Sequence, residues 1–247
     1  MRVRRGDYTE PATLAHAFEG ATRVLVVSGP SGADVHRAAV DAAVAAGAEH
    51  VVYTSHTAAG ARPEPLFAPA VGHAETERDL AASGLRWTAL RNGFHASSAL
   101  QMAQAGLRTG ELRVPVDGPV CWTTQEDLAV AAAVALTEPD RFQGPTPPLT
   151  GAELLDMDDV ARLLSELTGR RVVRTTVPDE EYTADLRAAG TPDAYVPLFL
   201  SYFTAARRGD FATTDPTLTG LLGRTPTTVR DALAAELRGT AWTSRSA

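Results

Sequence analysis

The 247-residue chain has room for one domain, or one domain plus a small lobe, and at 44% hydrophobic and 21% charged it supports a sizeable core. A formal net charge of −7 excludes a basic face for nucleic acid or anionic lipid. The single cysteine, Cys121, excludes an intrachain disulfide and a cysteine-based zinc site. All 23 basic residues are Arg, which excludes a Schiff-base enzyme, a P-loop and a Tyr-x-x-x-Lys pair.

The opening residues, Met1–Asp7, are charged and lack the apolar stretch of a signal peptide. The apolar run Leu128–Leu136 is too short to span a bilayer. A cytoplasmic protein with no membrane or nucleic-acid partner is expected. Arg2–Arg5 reads as a strand, and Pro11–Phe18 as a short helix. Arg23–Ser28 is β-branched without alternation, the pattern of a strand buried on both faces. Ala33–Ala46 is an Ala-rich helix ended by Gly47. His50–Ser55 reads as the next buried strand, Gly72–Ser83 as a helix closed by Gly84, and Leu85–Leu90 as a third strand. Strands separated by such helices imply βαβ units and a parallel sheet with right-handed crossovers. The three strands are expected side by side in chain order.

Further on, Phe94–Ala105 and Glu126–Thr137 read as helices, and Leu112–Val116 as a short strand. The Pro-rich Gln143–Thr150 reads as an edge or linker. Met157–Thr168, Pro178–Ala189, Ala194–Arg208 and Thr227–Arg238 read as helices, and the tail from Gly239 as loose. The fold class is therefore α/β. Residues 1–150 are expected to form a Rossmann-like domain and residues 151–247 a small, mostly helical lobe.

Six stretches occur in a telling order: Arg5-Gly-Asp-Tyr-Thr-Glu-Pro-Ala-Thr-Leu14, Val27-Ser-Gly29, Val52-Tyr-Thr-Ser55, His73-Ala-Glu-Thr-Glu77, Leu90-Arg-Asn-Gly-Phe94 and Leu222-Gly-Arg-Thr-Pro-Thr-Thr228. Together they resemble the NmrA-like, atypical short-chain dehydrogenase/reductase family, most of all its NAD(P)H:quinone oxidoreductase branch, over nearly the whole chain. The resemblance implies about 45–50 further residues ahead of this start, two βα units with a Gly-rich phosphate turn. No G-x-G-x-x-G occurs near this N-terminus. The sheet is therefore read as truncated, with Val24–Val27 as an exposed apolar edge. The chain as it stands is expected to bind NADP or NAD weakly, because a pyrophosphate sits on the amides of such a turn.

Candidate site residues follow from strand ends and from the resemblance. Asp7 and Tyr8 follow the first strand, where the family reaches the adenine; otherwise Asp7 caps the short helix and Tyr8 packs beside it. Ser28 and Gly29 end the next strand, and small residues in the Gly29–Gly32 loop let backbone approach a ribose or pyrophosphate. Thr54 and Ser55 end the strand after that; in typical short-chain dehydrogenases a Ser near here orients the substrate carbonyl. Tyr53 reads as packing. His73 opens a helix where typical members place the Tyr-x-x-x-Lys pair, so it is the candidate for cofactor or substrate contact and for acid–base chemistry, against a solvated first-turn histidine. Glu77, at i+4, is placed to face it. Asn92 can bond a carboxamide or its own backbone, Gly93 permits a tight turn, and Phe94 either stacks on nicotinamide or quinone or fills the core. Ser28, Thr54, His73 and Asn92 are expected to converge on one cleft. All six histidines precede position 96 without H-x-x-x-H spacing, so no metal site is expected.

Two functions are open at this point. One is an NAD(P)H-dependent oxidoreductase acting on a quinone or similar small acceptor, homo-oligomers being among its expected partners. A quinone's reduced product is resonance-stabilised and needs little acid catalysis, which suits a chain without the Tyr–Lys pair. The other is an NmrA-type redox sensor that binds dinucleotide without turnover, with a cofactor-incompetent fragment as the limiting case.

Overall fold

In the computed structural model, which describes residues 3–29, 32–63 and 65–239, the three apolar runs become neighbouring strands. α1 (Pro11–Phe18) precedes β1 (Arg23–Val26), α2 (Ala33–Ala45), β2 (His50–His56), α3 (Ala68–Ala82) and β3 (Arg86–Asn92). β1 pairs with β2 and β2 with β3, both parallel, with Val26 opposite Tyr53 and His56 opposite Asn92. The expected order and direction of the three strands are thus observed.

β4 (Phe94–His95), α4 (Ala96–Thr109), β5 (Glu111–Val114), β6 (Val120–Thr123), α5 (Gln125–Thr137) and β7 (Gly144–Pro145) follow. β7 completes a four-stranded sheet of order β1-β2-β3-β7 and pairs parallel to β3. Pro145 sits in this edge strand, where its missing N–H costs no internal ladder bond. Then come β8 (Leu154–Leu155), α6 (Met157–Thr168), β9 (Val173–Thr176), α7 (Asp179–Ala188), α8 (Val196–Arg207), α9 (Thr217–Leu222) and α10 (Val229–Gly239). No helix among the described residues is long and apolar enough to cross a membrane.

The residues group into two compact units, Met1–Asn92 with Leu128–Leu149, and Gly93–Asp127 with Thr150–Ala247. In the first unit, Val24, Val26, Val51 and Tyr53 share one core with Leu14 of α1, Ala39 and Val40 of α2 and Leu80 of α3. Successive strand residues point to opposite faces, so Tyr53 and Ser55 face α2 and α3 while Thr54 faces away. In the second unit β5 pairs parallel with β9, and β6 pairs parallel with β4 and antiparallel with β8. The rings of Phe94, Trp122, Tyr202 and Phe211 pack with centroids 5.0–6.0 Å apart.

Several expectations need correction. Residues 3–5 form no strand; Arg4 instead donates to the carbonyls of His16 and Glu19, closing the end of α1. β1 is the terminal strand of its sheet among the described residues, the edge that was expected, but only in part an exposed apolar one: Val24 and Val26 are buried beneath the helices, and Val27 is exposed. α3 begins at Ala68, one turn before Gly72, with Pro69 in its first turn where the missing N–H is free of cost. Phe94 and His95 pair with β6 before α4 begins. Gly239 ends α10, and the rest of the tail lies outside the described residues.

The Leu222–Thr228 stretch anchors the second unit. Asp127 is fully buried in the first turn of α5, where it accepts the Arg224 guanidinium at 2.6 Å and the Thr227 amide at 2.7 Å. Burial alone would raise its pKa, but the Thr227, Arg224 and Thr124 hydrogen bonds win and the net shift is downward. This contribution is present above the ordinary carboxylate range and is lost as pH falls through the lowered value. Asp127→Ala should cost about 1–2 kcal/mol, since it strands the half-buried Thr227 amide and removes the partner of the exposed Arg224 guanidinium. Urea unfolding would measure it; a loss below about 1 kcal/mol would show that Arg224 and Thr227 find water instead.

Candidate active site at the carboxyl ends of the parallel strands

Ligands of open α/β sheets bind beyond the carboxyl ends of the strands. At that rim of β1–β3 the first unit concentrates polar side chains on both faces of the sheet. On the face turned from the helices, the Ser28 amide donates to the Thr54 hydroxyl at 2.8 Å, and the two hydroxyls lie 3.0 Å apart. Asn92 ends β3 in register with His56, and its carbonyl accepts the Thr57 amide. Its side chain is buried, yet among the described residues Oδ1 accepts no hydrogen bond. Such an orphan costs about 1–3 kcal/mol unless a ligand satisfies it.

On the helix face, Tyr53 points its hydroxyl between α2 and α3. It lies 2.8 Å from His73 Nδ1 and 3.3 Å from His36 Nδ1. His36 Nδ1 also lies 3.1 Å from the Thr76 hydroxyl, which donates to the Gly72 carbonyl. His36 Nε2 accepts the Gly29 amide at 3.4 Å. Burial raises the Tyr53 pKa, and burial with the nearby His36 lowers that of His73 to about 4. Both histidines are therefore neutral near pH 7.

The His73 ring also stacks against His56, centroids 6.0 Å apart, and His56 packs on Phe67 at 5.2 Å. His56 thus touches His73 on one side and pairs in register with Asn92 on the other. The four residues expected to share one cleft divide: Ser28 joins Thr54 on the face turned from the helices and Asn92 lies in register with His56, whereas His73 sits with Tyr53 on the helix face and reaches the others only through the ring of His56. His73 is half-buried rather than on a solvated face.

The other expected residues divide. Tyr8 bonds the Val27 backbone beside the end of β1, which places it at the rim. Asp7 is exposed; its carboxylate accepts the Thr9 amide and hydroxyl, and Glu10 rather than Asp7 is the N-cap of α1. The Ser55 hydroxyl donates to the buried Glu77 at 2.6 Å, and Glu77 also takes Arg91 in a two-pronged ion pair. Glu77 therefore serves Arg91 and Ser55, not His73 as expected. Gly93 opens the second unit, and Phe94 belongs to its ring cluster. The Gly29 amide is engaged by His36, while Pro30 and Ser31 of the same loop lie outside the described residues. His36 is the residue that the sequence does not single out. His36 sits within an Ala-rich helix, and only its placement opposite a strand-end tyrosine could have marked it. Among the described residues no group of His, Cys, Asp and Glu could hold a metal ion.

A parallel Rossmann-like sheet with its polar groups gathered at the carboxyl rim defines a nucleotide-binding α/β protein. The chain belongs to the NmrA-like family, whose sequence profile matches residues 2–218. It is 30% identical over 238 residues to quinone oxidoreductase 2 of Escherichia coli, covering 95% of this chain and 82% of that protein. The crystal structure of the E. coli NADPH-dependent quinone oxidoreductase with NADPH superposes with a TM-score of 0.86 at 29% identity, over 96% of this chain and 84% of that one. The Citrobacter sp. triphenylmethane reductase complexed with NADP(H) superposes at 0.85, also with 29% identity, over 96% and 84% of the two chains.

The neutral His73 has a thermodynamic signature. Its pKa falls from 6.5 unfolded to about 4 folded, so the unfolded chain binds the extra proton first as pH drops. Its contribution is therefore undiminished above pH 6.5 and is lost progressively between 6.5 and about 4. Unfolding free energies measured across this window should fall, and His73→Gln should flatten the slope. An unchanged slope in that variant would mean that His73 titrates near its ordinary value.

Proposed function

We propose that this protein uses NAD(P)H to reduce a quinone or a similar small electron acceptor. The relatives with which it shares its fold over almost its full length are reductases of small molecules, and two superposing structures carry NADPH or NADP(H). The observation that carries the reading at the level of residues is Asn92. A buried amide oxygen with no donor among the described residues, at the carboxyl end of β3, suits a primary amide N–H, and the nicotinamide carboxamide offers one.

When bound, the dihydronicotinamide supplies the hydride. The chain's own residues orient the partners. Ser28 and Thr54 present hydroxyls to ribose oxygens, and Tyr8 with Asp7 marks the adenine side. Asn92 receives the carboxamide. His73, neutral and half-buried, donates a hydrogen bond from Nε2 to the acceptor's carbonyl oxygen. A quinone that gains a hydride at one end needs one solvent proton to become the hydroquinone, and that product is stable enough to need no strong protein acid. Ser55 supports the rim from below through Glu77, and Phe94, packed among its neighbouring rings, is read as core.

The test is oxidation of NADPH by the 247-residue chain with a benzoquinone as acceptor. Acceptor-dependent oxidation is expected. Saturable NADPH binding without turnover would replace the enzyme by a dinucleotide sensor, and no binding at millimolar NADPH would overturn the reading. Asn92→Ala should weaken NADPH binding roughly five-fold, the equivalent of about 1 kcal/mol for one hydrogen bond. An unchanged affinity in calorimetry would remove Asn92 from the site.

A further inference from the structure

The hydrogen bonds around Tyr53 favour one placement of their protons, and the Gly29 amide is where it starts. A backbone N–H always donates, so His36 Nε2, 3.4 Å away, must be the unprotonated nitrogen of a neutral ring. The His36 proton is then on Nδ1. It points at the Thr76 oxygen, 3.1 Å away, and at the Tyr53 oxygen, 3.3 Å away. Thr76 can accept it because its own proton goes to the Gly72 carbonyl. The Tyr53 hydroxyl cannot donate toward a nitrogen that already carries a proton. Of the acceptors left to it, the Thr76 oxygen and His73 Nδ1, the close contact is to His73 Nδ1 at 2.8 Å, and its hydrogen goes there. A neutral His73 that accepts at Nδ1 carries its proton on Nε2.

We propose that Tyr53 and His36 are positioning residues that lock His73 in the Nε2–H tautomer, so that His73 meets an acceptor as a neutral hydrogen-bond donor and not as a general acid. The lock itself stands on the geometry alone; the role toward an acceptor rests on the function proposed above. The surroundings are consistent with a neutral ring. From α2 the group facing His73 through Tyr53 is His36, from β2 it is Tyr53 and His56, and on α3 the nearby carboxylate, Glu77, is consumed by Arg91 and Ser55. Among the described residues the recorded His73 hydrogen bond uses Nδ1 alone, which leaves Nε2 to a ligand. A neutral imidazole polarises a carbonyl without losing its proton, so the ring needs no reprotonation between turnovers.

The experiment is a long-range nitrogen–proton correlation spectrum of the imidazoles in the full chain labelled with 15N-histidine, with His73→Gln assigning the signal. The expected result is a single Nε2–H tautomer for His73 and a single Nδ1–H tautomer for His36 near pH 7. Tyr53→Phe should turn His73 into a mixture of tautomers. Should that variant fail to fold, His36→Asn keeps the phenol but removes its orienting donor, and it should also give a mixture. A His73 proton on Nδ1, a mixture in the unmodified protein, or a tautomer untouched by either substitution would overturn the proposal. Quinone-dependent NADPH oxidation is measured alongside. Its absence with the tautomer locked would sink the functional reading and leave the lock standing.

Discussion

A tyrosine hydroxyl buried in a sheet must find hydrogen-bond partners, and at Tyr53 this requirement ties the fold to the site. β2 is flanked by β1 and β3, so its side chains have only the two faces of the sheet to enter. Tyr53 has no exposed surface and points to the side occupied by α2 and α3. Two right-handed crossovers in succession, joining strands laid down in one direction, put both helices on that side. Their polar residues must therefore line up over the tyrosine: His36 from α2, His73 and Thr76 from α3. A polar cluster follows from the topology, because an apolar lining there would leave a buried oxygen unsatisfied.

The long elements were legible because their signals are local. Arg23–Val26, His50–His56 and Arg86–Asn92 are unbroken apolar or β-branched runs, and the Ala-rich helices between them are bounded by glycines. The short strands were not. Val120–Thr123 holds only Val-Cys-Trp-Thr, and Leu154–Leu155 is two residues long; neither has length for a period, and both exist because a partner strand lies alongside. The site divides in the same way. Ser28, Thr54 and Asn92 could be read as strand ends. Glu77 could not be read correctly from helix spacing, which offers His73 four residues back. Strand register decided otherwise, placing Arg91 opposite Ser55 on the next strand and bringing both to Glu77. The Leu222–Thr228 motif was visible as a pattern, but its partner Asp127 lies about a hundred residues away, beyond the reach of any local rule.

The capture of Glu77 also explains how an imidazole beside an acidic helix stays neutral. A carboxylate one turn along from a histidine normally favours the imidazolium and raises its pKa. Here the carboxylate is buried, and its charge is spent on a guanidinium held in a two-pronged, hydrogen-bonded pair, with a serine hydroxyl on the remaining side. Arginine suits this role because it remains charged at every pH at which the fold survives and its planar fork matches both carboxylate oxygens. With that negative charge cancelled, desolvation and His36 are the influences left on His73, and both act downward. Arg91 thus stabilises the neutral state of His73 without touching it. The Glu77–Arg91–Ser55 group, on the same face of the sheet, is part of the electrostatic setting of the rim as well as a brace between β2, β3 and α3.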